Sequence, residues 1–411
     1  MSESSHVLTI VIPALDEEEA IGGTIERCLA ARETIIANSG VEEVEIIVVS
    51  DGSSDRTEEI AKSFDDVTVL VFEVNRGYGA AIKCGFAYGR GDLVSFLDGD
   101  GTCDPRLFAD FCRAIDDQKA DLVLGSRMGP DSQMPLIRTI GNTIFAHLLG
   151  ALSDRSIKDT ASGMRVIRRA CLADLYPLPD GLHFTPAMSA RVLLEDKLKI
   201  VERPMPYAER VGDSKLSVVN DGLRFFLSII QAAATFQPAR PVLMVAGLLL
   251  GASLVVGLPP VLFYLRQARL EEWMIYRLLL ASLLVTTSSI FVCAAVVADK
   301  IASTAHGRPP TSSGLTGMLV RLFTPRNRLV GCAGLVVIAT LVVAPGIWEF
   351  VSSGTVEMHW SRAALSSLLL VLAAVAASAT FLMNMLELIS ANRAELPRIE
   401  PPERIHRTSE T

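Results

Sequence analysis

The residues Leu97-Asp98-Gly99-Asp100 close a short apolar run, VSFL. Two carboxylates one residue apart, in a turn loosened by Gly99 and Gly101, can both reach a single hard cation. Oxygen ligands with open water positions suit Mg²⁺ or Mn²⁺ that also holds phosphate groups. Alone, the pattern is also an ordinary turn. Three further runs raise its weight: PALDEEE at 13–19, SDGSSDRT at 50–57, and NRGYGAA at 75–81. An Asp at the end of a central strand can accept hydrogen bonds from a base or a ribose, and Asp51 fits this. Asp55 reads instead as a helix cap, and Glu18 and Glu19 as a solvated helix start that suits the helix dipole. At Gly77 and Gly79 the backbone can approach a diphosphate or sugar closely, at a helix N-terminus.

These residues need elements that bring them to one edge. Residues 7–13, 45–50, 67–72, 93–97 and 121–124 read as strands. Residues 17–37, 54–64, 79–89 and 105–119 read as helices, with Ser53 or Ser54 as N-cap of the second. Continuous apolar strands separated by helices mean a parallel sheet covered on both faces. Ligands of such sheets sit at the carboxyl ends of the strands. The loops after Ile12, Ser50, Leu97 and Leu124 are therefore the places to look.

The remainder of the chain is different in kind. Of 411 residues, 50% are hydrophobic and 20% charged, with a mean hydropathy of +0.38. That excludes a disordered chain, a collagen and a small disulfide scaffold. Residues 1–240 carry 36 acidic and 25 basic side chains, a net −11; residues 241–411 carry 10 and 13, a net +3. The overall −8 argues against a nucleic-acid binder. Seven cysteines without a Cys-x-x-Cys pair read as small buried apolar residues, and His147 and His183 as structural. The start, MSESSHVLTI, lacks the pattern of a signal peptide, so the first part is expected to stay on the side where it is made.

Four apolar spans follow, 242–265, 278–298, 329–347 and 363–386. Each is near the roughly 20 residues that cross a bilayer. Pro259-Pro260 is expected to kink or end the first. The loop 299–328 carries Lys300, Arg308, Arg321, Arg326 and Arg328 against Asp299, and the tail adds Arg393, Arg398, Arg404 and Arg407. The positive-inside rule puts this loop, the tail and the first part in the cytoplasm. Trp273, Trp348 and Trp360 then fall at the opposite interface. Residues 221–235, DGLRFFLSIIQAAAT, read as an amphipathic helix, lying in the membrane interface or packed on the soluble part.

VIPALDEEEAI, VVSDGSSDRT, NRGYGAAI and FLDGDGTCDP, in this order and spacing, resemble the glycosyltransferase family 2 group with the nucleotide-sugar-binding GT-A fold. DLVLGSRM, DTASGMR, and YAERVGDSKL followed by DGLRFF narrow the resemblance to the polyprenyl-phosphate sugar transferases, the dolichyl-phosphate mannose and glucose synthases and their bacterial relatives. It covers about residues 6–230. It implies an α/β GT-A domain with a mainly parallel sheet over 1–220. An amphipathic juxtamembrane helix at 221–240, four transmembrane helices over 241–390 and a polar cytoplasmic tail at 391–411 complete the expected organisation. The implied reaction moves a sugar from a nucleoside-diphosphate sugar to a membrane polyprenyl phosphate, dolichyl or undecaprenyl, with Mg²⁺ or Mn²⁺ as cofactor. Homo-oligomerisation is left open.

Residue by residue, Pro13, Leu15, Glu17 and Asp51 match nucleoside-contact positions. Gly77 and Gly79 match the donor turn. Asp98 and Asp100 match the metal and diphosphate pair, and Asp159 an acidic residue at the active site that positions groups or binds sugar hydroxyls. Arg127, Arg138, Arg210 and Lys215 match basic positions near donor or acceptor phosphate, the last three on the acceptor side. Arg165 either anchors the loop of Asp159 or touches substrate. Tyr78 stands where Lys is frequent, Met164 where Phe is usual, and Thr102 and Cys103 where some relatives supply a Gln to the metal.

The implied acceptor is a phosphate monoester, with a second pKa of about 6 like that of a phosphorylated side chain. It is mostly dianionic at neutral pH and requires no strong general base. Two anions must instead be brought together. A cation on the leaving diphosphate and Arg or Lys on the attacking phosphate do this, and in-line attack inverts the anomeric carbon. A polysaccharide synthase would need an acceptor signature such as Gln-x-x-Arg-Trp, which this chain lacks. Against a non-catalytic lipid-sugar transporter or scaffold stand Asp51, Asp98, Asp100, Arg210 and Lys215.

Overall fold

A computed structural model describes residues 5–130, 132–153, 155–195, 197–208, 217–267, 269–305, 317–318 and 324–394. Arg210 and Lys215 lie outside them, as do Arg308, Arg321 and the tail beyond residue 394. The chain forms two compact units, Met1–Gln237 and Pro238–Thr411.

The first unit runs β1 (His6–Ala14), α1 (Ile21–Asn38), β2 (Val41–Asp51), α2 (Thr57–Lys62), β3 (Thr68–Phe72), α3 (Tyr78–Tyr88), β4 (Leu93–Phe96), α4 (Phe108–Asp117), β5 (Leu122–Ser126), α5 (Leu136–Leu152), β6 (Arg165–Arg168), α6 (Leu172–Leu175), α7 (Phe184–Leu194), β7 (Ile200–Pro204) and α8 (Val218–Phe236). The sheet order is β3-β2-β1-β4-β6-β5-β7. β1 pairs parallel with β2 and β4, β2 with β3, and β5 with β7. The four-residue β6 runs antiparallel between β4 and β5. The sheet is thus mainly parallel, with one reversed strand that the sequence reading does not contain.

Strand periodicity explains the continuous apolar runs. Successive side chains point to opposite faces, and both faces are covered. Ile46 and Val48 of β2 join Leu8, Ile10 and Ile12 against Ile21, Ile25, Phe108 and Phe111 of α1 and α4. Ile47 and Val49 join Val11 against Ile82, Phe86, Phe184 and Val192 of α3 and α7.

Two local readings change. α2 starts at Thr57, and neither Ser53 nor Ser54 caps it. Ser54 N donates to Asp16 Oδ1 (2.7 Å) and Asp16 N donates to Ser53 Oγ (3.2 Å). Asp55 does bind the first turn, accepting from Thr57 N at 2.9 Å. Glu18 accepts from Arg56 N at 3.1 Å, and α1 starts later, at Ile21. The acidic run therefore stitches the β1 loop to the β2 loop. α8 buries Phe225, Ile229, Ala232, Ala233 and Phe236, and leaves Val219, Leu223, Phe226 and Leu227 exposed. It is a packing helix of the first unit on one face and carries an exposed apolar row on the other.

The second unit contains α9 (Ala239–Gln267), α10 (Glu272–Ala305), α11 (Pro325–Ser353) and α12 (Trp360–Ala394). Among the described residues these four helices are long and apolar enough to cross a membrane. Of the two effects expected of the prolines, a kink or an end, the end does not occur: α9 continues through Pro259 and Pro260. Prolines lack an N–H, so the carbonyls of Val255 and Val256 lose their helical donors. Arg277 of α10 replaces them, Nε donating to Val256 O (3.2 Å) and Nη2 to Val255 O (3.5 Å). Ser288 Oγ donates to Ala246 O (2.9 Å) and Ser366 Oγ to Ala339 O (3.0 Å), tying the helices in pairs.

Candidate active site

A cavity of about 470 Å³ lies at the carboxyl ends of β1, β2, β4 and β5. Pro13, Leu15, Glu17, Asp51, Gly77, Asp98, Asp100, Arg127 and Arg138 all line it, so most of the residues expected from sequence come together. Tyr78, Asn142, Tyr207 and Arg224 line it as well.

Asp51 is 3% exposed. Its carboxylate accepts from Arg76 N at 2.7 Å and from Gly77 N at 2.9 Å, so it holds the turn that opens α3. Gly77 has φ +106°, and a Cβ there would lie 2.5 Å from Asp180 O. Only glycine fits. Gly79 is set by packing. It does not line the cavity, and a Cβ would lie 2.2 Å from Pro179 O and 2.9 Å from the Phe184 ring. Its missing side chain lets α3 pack on the 179–184 segment.

Each carboxylate at the end of β4 receives a hydroxyl. Tyr78 Oη donates to Asp98 Oδ1 at 2.6 Å, and Thr102 Oγ1 donates to Asp100 Oδ1 at 2.7 Å. Burial first, and then the Asp98 charge, hold the Tyr78 phenol well above its ordinary pKa, so it stays a donor. Gly163 closes Asp98 in, since a Cβ there would lie 2.1 Å from Asp98 Oδ2. Burial pushes the Cys103 thiol up to about 12, so it stays protonated and is no thiolate ligand. Among the described residues there is no group of three or more His, Cys, Asp or Glu that could hold a metal.

Asp159 holds a cavity-lining side chain, Arg127, and does not itself reach the cavity. It is fully buried and is not among the cavity-lining residues. Its carboxylate accepts from Arg127 N (2.9 Å), Nε (2.8 Å) and Nη2 (2.8 Å), from Asn142 Nδ2 (3.2 Å) and from Ala161 N (3.2 Å). Burial raises its pKa, but Arg127 and these hydrogen bonds outweigh burial and hold it below the usual carboxylate range. Asp159 therefore orients Arg127, which also stacks over Tyr207 at 5.3 Å. Arg165 is wholly buried and donates to Ser162 O and Thr160 O, both at 3.1 Å. It anchors the loop of Asp159, and burial lowers its pKa to about 10.

One wall of the cavity is largely apolar. Met134, Ile137 and Phe145 come from α5 and its entry, and Phe225 from α8, with the two phenyl rings 6.0 Å apart. Arg138 and Arg224 stand within this wall. Arg224 escapes sequence reading because it sits in an amphipathic stretch where a cation is ordinary.

Glycosyl transferase family 2 matches residues 9–176. The low-salt glycan biosynthesis hexosyltransferase Agl6 of Haloferax volcanii is 31% identical over 227 residues, 54% of this chain and 53% of that protein. The match thus spans about half the length of that relative. The dolichyl-phosphate hexose transferase of the same organism is 30% identical over 231 residues, 54% of this chain and 92% of that protein. The undecaprenyl-phosphate 4-deoxy-4-formamido-L-arabinose transferase of Photorhabdus laumondii is 29% identical, covering 62% of this chain and 78% of that one.

Proposed function

Because the chain belongs to glycosyl transferase family 2, we propose that it transfers a sugar from a nucleoside-diphosphate sugar to the phosphate of a membrane polyprenol, with inversion. One observation carries this reading. A single cavity joins the strand-end carboxylates Asp51, Asp98 and Asp100 to an apolar wall that bears Arg138 and Arg224. The first group suits a nucleotide and a cation, the second an anionic head on an apolar tail. The relatives named for dolichyl and undecaprenyl phosphate support the same acceptor class.

In this reading Pro13, Leu15, Glu17 and Asp51 receive the nucleoside, and Gly77 lies beside the diphosphate. Asp98 and Asp100 would hold Mg²⁺ or Mn²⁺. An all-oxygen pair fits a hard cation that takes its other ligands from water and substrate phosphate. A cation held there would supply the positive charge that the leaving diphosphate needs. The Thr102 hydroxyl holds Asp100 at 2.7 Å. Arg138 and Arg224 hold the acceptor phosphate, joined by Arg210 and Lys215 of the segment outside the described residues. The acceptor oxygen attacks without a protein base, since it is already ionised. Four apolar helices support a multi-pass membrane protein, and the basic loop 299–328 supports a cytoplasmic first unit.

Asp100→Asn tests this reading. It is expected to abolish transfer while the protein stays folded, because an amide cannot replace an anionic oxygen ligand. Near-normal turnover of Asp100→Asn in Mn²⁺ or Mg²⁺ would reject the cation assignment.

A further inference from the structure

Tyr78 opens α3, and everything around it fixes where its hydroxyl stands. Just before it, the amides of Arg76 and Gly77 are held by Asp51 at 2.7 and 2.9 Å. Gly77 lies against Asp180 O so closely that a Cβ would approach to 2.5 Å. The ring meets Phe96 edge-on at 6.5 Å, and Phe96 in turn packs on Phe86 at 6.2 Å and Phe184 at 5.9 Å. The end of β2 thus sets where α3 begins, and α3 sets a hydroxyl 2.6 Å from Asp98 Oδ1 at the end of β4. Behind Asp98, Gly163 leaves the carboxylate no room for a neighbouring Cβ.

We propose that Tyr78 is a positioning residue for Asp98: its hydroxyl fixes the carboxylate in the orientation that serves a divalent cation, and the turn bound by Asp51 ties that orientation to the nucleoside side of the cavity. The proposal rests on Asp98 being a cation ligand, as read above. A neutral phenol orients the carboxylate without offsetting its charge, as Lys or Arg would. Phenylalanine at this position keeps the ring packing on Phe96 and removes only the donor. Such donors to metal-binding carboxylates behave as outer-shell partners, whose loss typically weakens metal binding by roughly 10–100-fold.

The test uses the full-length protein in detergent micelles, titrated with Mn²⁺ in the presence of UDP and, in parallel, GDP. Free Mn²⁺ is read from its electron paramagnetic resonance signal, and thermal unfolding is followed on the same samples. Tyr78→Phe is expected to weaken Mn²⁺ binding by about tenfold or more, with an unchanged unfolding midpoint. Replacing Tyr78 with 4-aminophenylalanine, which restores a donor, is expected to recover most of the affinity. Asp98→Asn is expected to lose it. Wild-type affinity in Tyr78→Phe, with affinity lost in Asp98→Asn, overturns the proposal and leaves the cation reading standing. Equal weakening in the Phe and 4-aminophenylalanine proteins also overturns it, because packing and not the donor would then matter. Unchanged affinity in Asp98→Asn rejects the cation reading itself.

Discussion

Asp159→Ala removes a carboxylate on which five hydrogen bonds converge, three of them from Arg127. The Arg127 side chain is 11% exposed and loses its counter-charge where water replaces it only in part. Removing one partner of a buried ion pair costs about 3–5 kcal/mol. For a unit the size of Met1–Gln237, each kcal/mol moves the unfolding midpoint by about 2–4 °C, so the expected fall is roughly 6–20 °C. The pH dependence gives a second, independent reading. The folded pKa of Asp159 lies below its unfolded value, which is about 3.9. The ion pair therefore contributes stability above that value and loses it as pH falls through the folded pKa. Calorimetry of the full-length protein in detergent from neutral pH downward should show the wild type losing stability more steeply than Asp159→Ala in acid. A midpoint shift under about 2 °C, or parallel pH profiles, would refute the structural role given to this pair.

Two further outcomes follow from the same geometry. Arg138→Ala and Arg224→Ala should each raise the requirement for lipid phosphate by roughly 10–100-fold, the equivalent of about 1.5–3 kcal/mol for a hydrogen bond to a charged group, with donor dependence unchanged. Steady-state kinetics against acceptor concentration checks this, and an unaltered acceptor dependence would show the basic wall is misassigned. Gly79→Ala forces a Cβ to 2.2 Å from Pro179 O, and should destabilise by about 1–3 kcal/mol as overpacking does. Wild-type thermal stability of that variant would contradict the packing role.

The parts legible in the sequence were those carried by local pattern. β1, β2 and β4 are apolar on both faces and end in polar loops, so the sequence pattern alone places Asp51, Asp98 and Asp100 at one edge. The four apolar helices were readable from length alone. What was not legible depended on neighbours distant in sequence. β6 is four residues, RVIR, with Arg at both ends, and only its pairing with β4 and β5 makes it a strand. Arg127 and Asp159 are 32 residues apart, and nothing local shows that each is the other's partner. Gly79 suggested a ligand cradle because its backbone neighbour, the 179–184 segment, comes from the other end of the unit. Pro259 and Pro260 suggested a break because the compensating Arg277 belongs to the next helix.

The most direct test of the central claim is to incubate membranes carrying the protein with a panel of labelled UDP- and GDP-sugars and extract the lipid fraction. The account predicts that one donor labels a polyprenyl monophosphate sugar, that chelation of divalent cations stops the labelling, and that Asp100→Asn membranes give none. Label appearing in polymer, or in no lipid with any donor while the protein is folded, would contradict it.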